Sequence, residues 1–559
     1  MTSSATHGLC NAVYVGIVPT TAQFAALTTY SQTFKVRIVY FEVTGTSENA
    51  AFTSQLGIGV NWDDTVLANP TYIGMTTEGS ATARLVNPDL QTDNNLFVRP
   101  VRIQSTVAGV TSIAEYRDDS GAAISSDGYP STALMTYEGA DNLEEMHVFF
   151  AIGWFDLGSW AWLHHIVEWA TKGVFMGERR FYLGATVDDL FLATGVFSYD
   201  GASNEGAVTQ EERVTGAQLE ALIAVQDELN ALYSSEIVTE FAFNGGGVLG
   251  EVDSAFWPPY EETIVTPKGT KMTPPGLQPL VYDEDYLSVA VPGMQAEWDA
   301  GLFASDDLLA TVLANPNSFY HGSHTFNHLS RDELQEVDCN SEDSANAQFA
   351  VMTGMFDMDT YNWRSMVTPG ITGLFNANCL QSGAANLMTC YPGDNTYDGL
   401  QTTVNLMNMD NRYHSIYTTV DTNAGYDGVQ IIPRFATYVY FNCVTGACLV
   451  AENEYIRRVV CGCSNLDPSD PDRGTCSQTG VVNGCDSDDS ITSFGSIDAL
   501  FTEEARATTF YLLMGRRDKY MFHQANVIPA DDLGGKSTLE YWYEVVLESL
   551  YKFITFPVK

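Results

Sequence analysis

Arg180-Phe181-Tyr182-Leu183-Gly184-Ala185-Thr186-Val187-Asp188-Asp189-Leu190 is the stretch on which the fold turns. Its aromatic and β-branched residues read as a strand, and two adjacent carboxylates emerge at that strand's C-terminal end, where α/β folds place their chemistry. Successive side chains leave a strand in opposite directions, so a turn after Val187 lets one of the pair face a cation and the other a water. The second chemical stretch is His321-Gly322-Ser323-His324-Thr325-Phe326-Asn327-His328. His324 and His328 stand four apart, a spacing that predicts one helical turn with both imidazoles on one face. One carboxylate and two imidazoles leave coordination positions open for water, which makes a catalytic metal site rather than a closed structural one. Taken singly, an Asp-Asp pair serves as a helix cap and paired histidines fall at this spacing by chance; together they read as metal ligands. A zincin is excluded because no Glu follows the first His to act as base. His321 reads as a further ligand or as a hydrogen-bonded neighbour, and His414 is unassigned.

Outward from the Asp pair the pattern alternates. Thr215-Gly216-Ala217-Gln218 is a capping box, and Leu219, Leu222, Ile223, Leu229 and Leu232 mark an amphipathic helix that returns the chain to a strand at Ile237 to Phe243. Further strands are expected at Ser318 to Tyr320, Asn386 to Tyr391 and Val429 to Ile432, with helices at Ile497 to Leu513 and Leu539 to Phe553. The reading is an α/β distorted (β/α) barrel over 146–559. Asn244-Gly245-Gly246-Gly247 reads as a flexible loop at its catalytic end, with Asn244 a candidate substrate contact; lacking a helix-opening Lys-Ser/Thr, it is not a phosphate loop. A Pro-rich insertion covers about 250–300, including Trp257-Pro258-Pro259-Tyr260 and Thr273-Pro274-Pro275-Gly276. Residues 1–145 carry short β-leaning runs, Phe34 to Val43 and Leu96 to Ile103, and read as an all-β, sandwich-like accessory domain with a packing or carbohydrate-contacting role. His164-His165 lie within an apolar run that reads as a packed helix.

The chain has 559 residues, 45% of them hydrophobic, enough for at least two cores. Seventy acidic residues against 26 basic ones give a net charge of −44, which disfavours nucleic acid and anionic membrane surfaces as partners. The charge keeps the surface hydrated; more sharply, it would hold a product that gains positive charge as it forms. No uncharged apolar run is long enough to span a membrane. Six of the ten cysteines, Cys443, Cys448, Cys461, Cys463, Cys476 and Cys485, crowd into a loop segment at 440–490. That crowding predicts local disulfides and an oxidising, extracellular compartment; a zinc ribbon is the rival, weakened by the absence of C-x-x-C. Asp467, Asp470, Asp472, Asp486, Asp488 and Asp489 in the same segment could hold a structural Ca²⁺ or form a solvated loop. No leader opens the chain, which under a secreted reading means that one has been removed. The sequence carries no signature of an oligomeric state.

Tyr182 to Leu192 and His324-Thr325-Phe326-Asn327-His328 resemble the first two motifs of the NodB-type polysaccharide deacetylases. Gly173 to Phe191, Gly428 to Thr437 and Tyr520 to Asn526 are similar, more narrowly, to the secreted galactosaminogalactan deacetylase family of carbohydrate esterases, over most of the chain from about Phe97. The resemblance implies Asp188 as general base, Asp189, His324 and His328 as ligands of a divalent metal, most simply Zn²⁺, and His523 as the acid that protonates the leaving amine. The family's usual third motif, Arg-Pro-aromatic, is replaced by Thr368-Pro369-Gly370-Ile371, so Arg434 in Pro433-Arg434-Phe435 is the candidate to orient the base and contact substrate. The implied substrate is an N-acetylated amino-sugar polysaccharide. Two alternatives stand beside it: a carbohydrate-binding or surface protein on a barrel that has lost activity, and an O-acetyl esterase using the same centre.

Overall fold

A computed structural model of the chain describes residues 12–15, 20–41, 58–60, 71–84, 86–94, 101–103, 108–126, 129–153, 156–174, 180–199, 207–252, 263–266, 269–272, 301–395, 415–420, 425–460 and 494–559. The chain divides into two compact units, one of residues 1–181, 505–516 and 546–557, the other of 182–504, 517–545 and 558–559.

The first unit is built on a ten-stranded sheet whose main path runs Ala12–Val15, Arg37–Phe41, Glu144–Val148, Tyr129–Glu138, Val110–Arg117, Thr71–Met75, Gln91–Asn94. Its first three strands pair in parallel and the rest antiparallel. The expected all-β sandwich is therefore corrected to a single mixed sheet with helices, among them Thr21–Phe34 and Leu157–Ala170. Parallel neighbours need a crossover, and Thr21–Phe34 provides it between Ala12–Val15 and Arg37–Phe41. Its start is marked by a capping box, Thr20 with Gln23, of the kind that announces the helix after Thr215. Val15, Leu27, Ile38, Tyr40, Met135 and Phe149 form its core. The run with His164 and His165 is a packed helix as expected: His164 bonds the Leu513 carbonyl, and burial takes His165 down to about 4, neutral at physiological pH.

The second unit holds a nine-stranded sheet in the order Ile416–Tyr417, Gln430–Ile432, Cys390–Pro392, Tyr361–Met366, Tyr320–Ser323, Glu240–Phe243, Ala185–Leu190, Lys519–His523, Arg434–Phe435. Every pairing is parallel except that of Ile416–Tyr417. Gln430–Ile432 and Arg434–Phe435 are one residue apart in sequence yet sit towards opposite ends of this order. One extended stretch thus pairs with Cys390–Pro392 through its first half and with Lys519–His523 through its second, and the sheet must curl round to allow it. Helix Gly216–Tyr233 carries the capping box read from sequence and leads to Glu240–Phe243, as expected.

Two local expectations change. Asn244-Gly-Gly-Gly does not open a flexible loop: helix Gly245–Val252 begins there, and its glycines are packing requirements. A Cβ on Gly246 would stand 2.6 Å from Asn327 Oδ1, and one on Gly247 2.3 Å from the Phe191 carbonyl oxygen, so only a bare backbone fits against both chemical stretches. The 440–490 segment is not all loop, since Gly446–Tyr455 is helical and capped by Thr445. Cys443–Cys448 forms one local disulfide there, and Cys339–Cys379 ties helix Glu336–Thr353 to Ala377–Ala385, while Cys390 is a free thiol. Cys461, Cys463, Cys476, Cys485, the Asp467 to Asp489 carboxylates, His414 and most of the Pro-rich insertion lie outside the described residues. Among the described residues no helix is long and apolar enough to cross a membrane.

Candidate active site

Asp188 and Asp189 close strand Ala185–Leu190, buried at its C-terminal end. The alternation of an extended strand would send them to opposite faces. Instead Asp189 takes φ 66°, a left-handed conformation uncommon for Asp, and both carboxylates serve one site. Asp189 Oδ1 lies 3.1 Å from His324 Nε2 and 3.2 Å from His328 Nε2. His324 directs its other nitrogen, Nδ1, at the Val367 carbonyl oxygen 2.8 Å away, which fixes the proton there and leaves Nε2 as an electron-pair donor.

The two histidines reach this point by a route the sequence did not suggest. Residues 324–328 form no helical turn; Thr325 and His328 adopt positive φ, 62° and 59°, and the segment is an irregular loop. It is held by polar residues that no motif marks. Asn244, fully buried, donates from Nδ2 to the His324 and Thr325 carbonyls at 2.5 and 2.9 Å, while its backbone N–H bonds the Leu190 carbonyl at 3.0 Å. Asn244 therefore ties the Asp-Asp strand to the histidine loop and does not line a surface. Glu342 accepts from Asn327 N at 2.8 Å and from Asn327 Nδ2 at 3.0 Å. Asn346, one turn further along the same helix, accepts from Gly245 N at 2.8 Å and donates to Ser323 Oγ at 2.8 Å and the Phe243 carbonyl at 3.0 Å. Beyond the loop, Arg331 and Asp343 make a buried two-pronged ion pair at 2.5 and 3.1 Å. His321 is not a ligand: it is fully buried, its ring nitrogens find no hydrogen bond among the described residues, and burial lowers it to about 4.

On the other side of Asp189, register brings one group opposite Asp188 and a long side chain supplies another, since Arg434 itself pairs with Lys519. Asp188 is the direct strand partner of His523, and their side chains approach to 3.9 Å, Nε2 to Oδ2. Arg434 comes from the strand beyond and places Nη1 2.8 Å from both oxygens of Asp188, both side chains almost wholly buried. Burial pushes the His523 imidazole below its ordinary range, outweighing the pull of Asp189 and Asp188. Burial likewise opposes charge on Asp189 and His328. Even so, Asp189 is held well below the usual carboxylate range by His328 and His324, and His328 above the usual imidazole range by Asp189. The cluster demands positive charge at the point where the three side chains meet.

A divalent cation fits that demand. Asp189 Oδ1 is buried without a hydrogen bond, and two imidazole nitrogens converge on it, so electron pairs face one another unless a cation lies among them.

Residues 183–559, well over half the chain, match the model of the Agd3 deacetylase domain. The chain belongs to the Agd3 deacetylase family. The crystal structure of Agd3, a novel carbohydrate deacetylase, superposes with a TM-score of 0.70 at 24% identity, covering 96% of this chain and 74% of that one, and shows the same fold. A GH57 branching enzyme from Thermococcus kodakaraensis is also matched, over 67% of this chain and 69% of that one, with a TM-score of 0.29 at 10% identity. No curated protein matches the sequence. Within the Agd3 family this chain is a deacetylase, and the reading as a binding protein that has lost activity gives way to that of an enzyme.

Proposed function

We propose that the protein removes N-acetyl groups from an extracellular amino-sugar polysaccharide, with a divalent cation held by Asp189, His324 and His328. The observation that carries the cation is the convergence of Asp189 Oδ1, His324 Nε2 and His328 Nε2 with the carboxylate oxygen otherwise unpaired. When bound, a cation of this kind supplies Lewis acidity to the acyl oxygen and lowers the pKa of water from about 16 to roughly 7. The donor set of one carboxylate and two imidazoles suits Zn²⁺.

Asp188 is the base in this reading. Arg434 Nη1, hydrogen-bonded to both its oxygens, fixes its orientation, and Asp188 takes a proton from the attacking water as the oxygen bonds to the acetyl carbon. His523, within 3.9 Å of the same carboxylate, gives a proton to the nitrogen as the C–N bond breaks, so that acetate and a free amine leave. Arg434 orients the base in the place where the related families use another arginine. Asn244 is a positioning residue beneath the histidine loop.

The test is acetate release from partly N-acetylated polygalactosamine and from chitin oligomers by zinc-loaded protein, with and without chelator. Chelator-sensitive release is expected. Release from O-acetylated glycan alone would assign the protein to ester substrates, and release that survives full metal removal would overturn the assigned centre.

A further inference from the structure

The loop after Arg434 brings Phe441 beside His523, and it is fixed at several points. Tyr438 N donates to Glu504 Oε1 at 2.5 Å, and Val439 N to Thr437 Oγ1 at 3.2 Å. The Tyr440 hydroxyl accepts from Asn453 Nδ2 at 3.0 Å, the Asn442 carbonyl accepts from Phe197 N at 2.9 Å, and Cys443 is bonded to Cys448. Asn526 joins this loop to the acid. Fully buried, it accepts from the His523 backbone N–H through Oδ1 at 2.8 Å and donates through Nδ2 to the Tyr440 and Cys443 carbonyls at 2.8 and 3.0 Å.

The residue these anchors present is Phe441. Its ring lies 5.5 Å from that of His523, centroid to centroid, and 51% of the residue is exposed. A single exposed aromatic is ordinary on a protein surface. This one differs in that the backbone on both sides of it is hydrogen-bonded in place, its ring packs at a tilt against His523, and half of the residue stays exposed. Locking a loop in order to keep an apolar ring in water gains nothing in stability. It gains something when a ligand covers the ring.

We infer that Phe441 is the sugar platform of the active site, packing against the apolar face of the pyranose that bears the acetamide. The inference rests on the proposed role of His523: the group that protonates the nitrogen must lie on the leaving-group side, where the sugar is, and not on the side of the acetyl methyl. Phe441 shares that side because it touches His523. The negative face of an aromatic ring attracts the partly positive C–H bonds along one face of a pyranose, and the same face favours the ammonium group once the amine is released. Phe441 therefore selects for a six-membered amino sugar in the leaving-group position, whatever metal the site holds.

The experiment compares wild type, Phe441→Ala and Phe441→Trp as zinc-loaded full chains, reading KM and kcat for an N-acetylated amino-sugar oligomer and equilibrium binding of the same oligomer by calorimetry. Phe441→Ala is expected to weaken binding and raise KM by about tenfold with a smaller change in kcat, and Phe441→Trp to restore wild-type KM. Unchanged binding in Phe441→Ala, or a Phe441→Trp variant as defective as Phe441→Ala, would overturn the platform and leave the ring as packing for His523. Should wild type release no acetate, the proposed activity fails while the binding comparison still decides the platform.

Discussion

The two halves of the active site are built by different means. The proposed proton-transfer half, Asp188, Arg434 and His523, sits on neighbouring parallel strands, where register pairs Asp188 with His523 and the Arg434 side chain reaches in from its place opposite Lys519. The proposed ligand half, Asp189, His324 and His328, depends on three residues at positive φ, Asp189, Thr325 and His328, and on buried side chains from elsewhere in the fold. Strand register is enforced by a whole sheet and is hard to disturb with one substitution. A strained loop is only as well placed as the hydrogen bonds that over-determine it, and here those come from Asn244, Glu342 and Asn346. Changes in the first half should therefore alter chemistry and charge balance, and changes in the second should alter metal affinity.

The largest expected effect is on rate. Asp188→Asn keeps size and register but removes the base, and acetate release should fall by on the order of 10²–10⁴-fold with the far-ultraviolet circular dichroism unchanged. Arg434→Met comes next. It strands the Asp188 carboxylate without its partner in a site where both side chains are nearly inaccessible, and urea unfolding should register a loss of about 3–5 kcal/mol. A loss below about 1 kcal/mol would mean that water or another cation already shares that carboxylate.

Glu504, in helix Ile497–Leu513, accepts from Tyr438 N in the loop after Arg434 and gives a pH-dependent counterpart. Burial raises it from 4.5 to about 7, against the lowering effect of hydrogen bonds from Tyr438 N and Trp542 Nε1. Its pKa is higher folded than unfolded, so the folded state holds the extra proton between those two values. The stability this contributes is complete below about pH 4.5 and is lost as pH rises through about 7, a span worth roughly 3 kcal/mol. In Glu504→Gln that slope should flatten when unfolding free energy is followed from pH 4 to 8, whereas an unchanged slope would place the titration elsewhere. The smallest expected effect belongs to the ligand half. Glu342→Ala removes the acceptor for Asn327 and should weaken zinc binding by about 10–100-fold while leaving turnover of the fully loaded enzyme close to wild type. Equal loss in both halves' readouts would abolish the distinction.

The same division explains what could be read from the sequence. The ligand residues stand out in sequence because Asp-Asp and His-x-x-x-His are compact patterns, yet their geometry does not: four-residue spacing suggests a helical turn, and the chain uses two left-handed residues instead. Left-handed conformation at Thr325 and His328 has no signature in residue type, since neither is Gly or Asn. The proton-transfer residues are the reverse case. Asp188, Arg434 and His523 are scattered over more than 300 positions and no local pattern joins them, but once the strands are placed in order they are neighbours. Gly245, Gly246 and Gly247 looked like flexibility and are close packing, because only the structure reveals Phe349, Asn327 and Phe191 against them. Glu342 and Asn346 escaped notice for a related reason: helix Glu336–Thr353 buries Asp338, Glu342, Asp343 and Asn346, so it has no apolar stripe to read. In the first unit, helix Thr21–Phe34 is missed in sequence because β-leaning composition surrounds it, although Thr20 and Gln23 form a capping box.

The adjacent aspartates carry the central claim, because Asp188 and Asp189 differ by one position and are assigned to different halves. Zinc stoichiometry and affinity should be measured for Asp188→Asn and Asp189→Asn beside wild type, with acetate release from the same samples. Asp188→Asn is expected to bind one zinc per chain as tightly as wild type and to release almost no acetate, while Asp189→Asn is expected to fail to retain the metal. Loss of zinc from Asp188→Asn, or wild-type zinc affinity in Asp189→Asn, would contradict that claim.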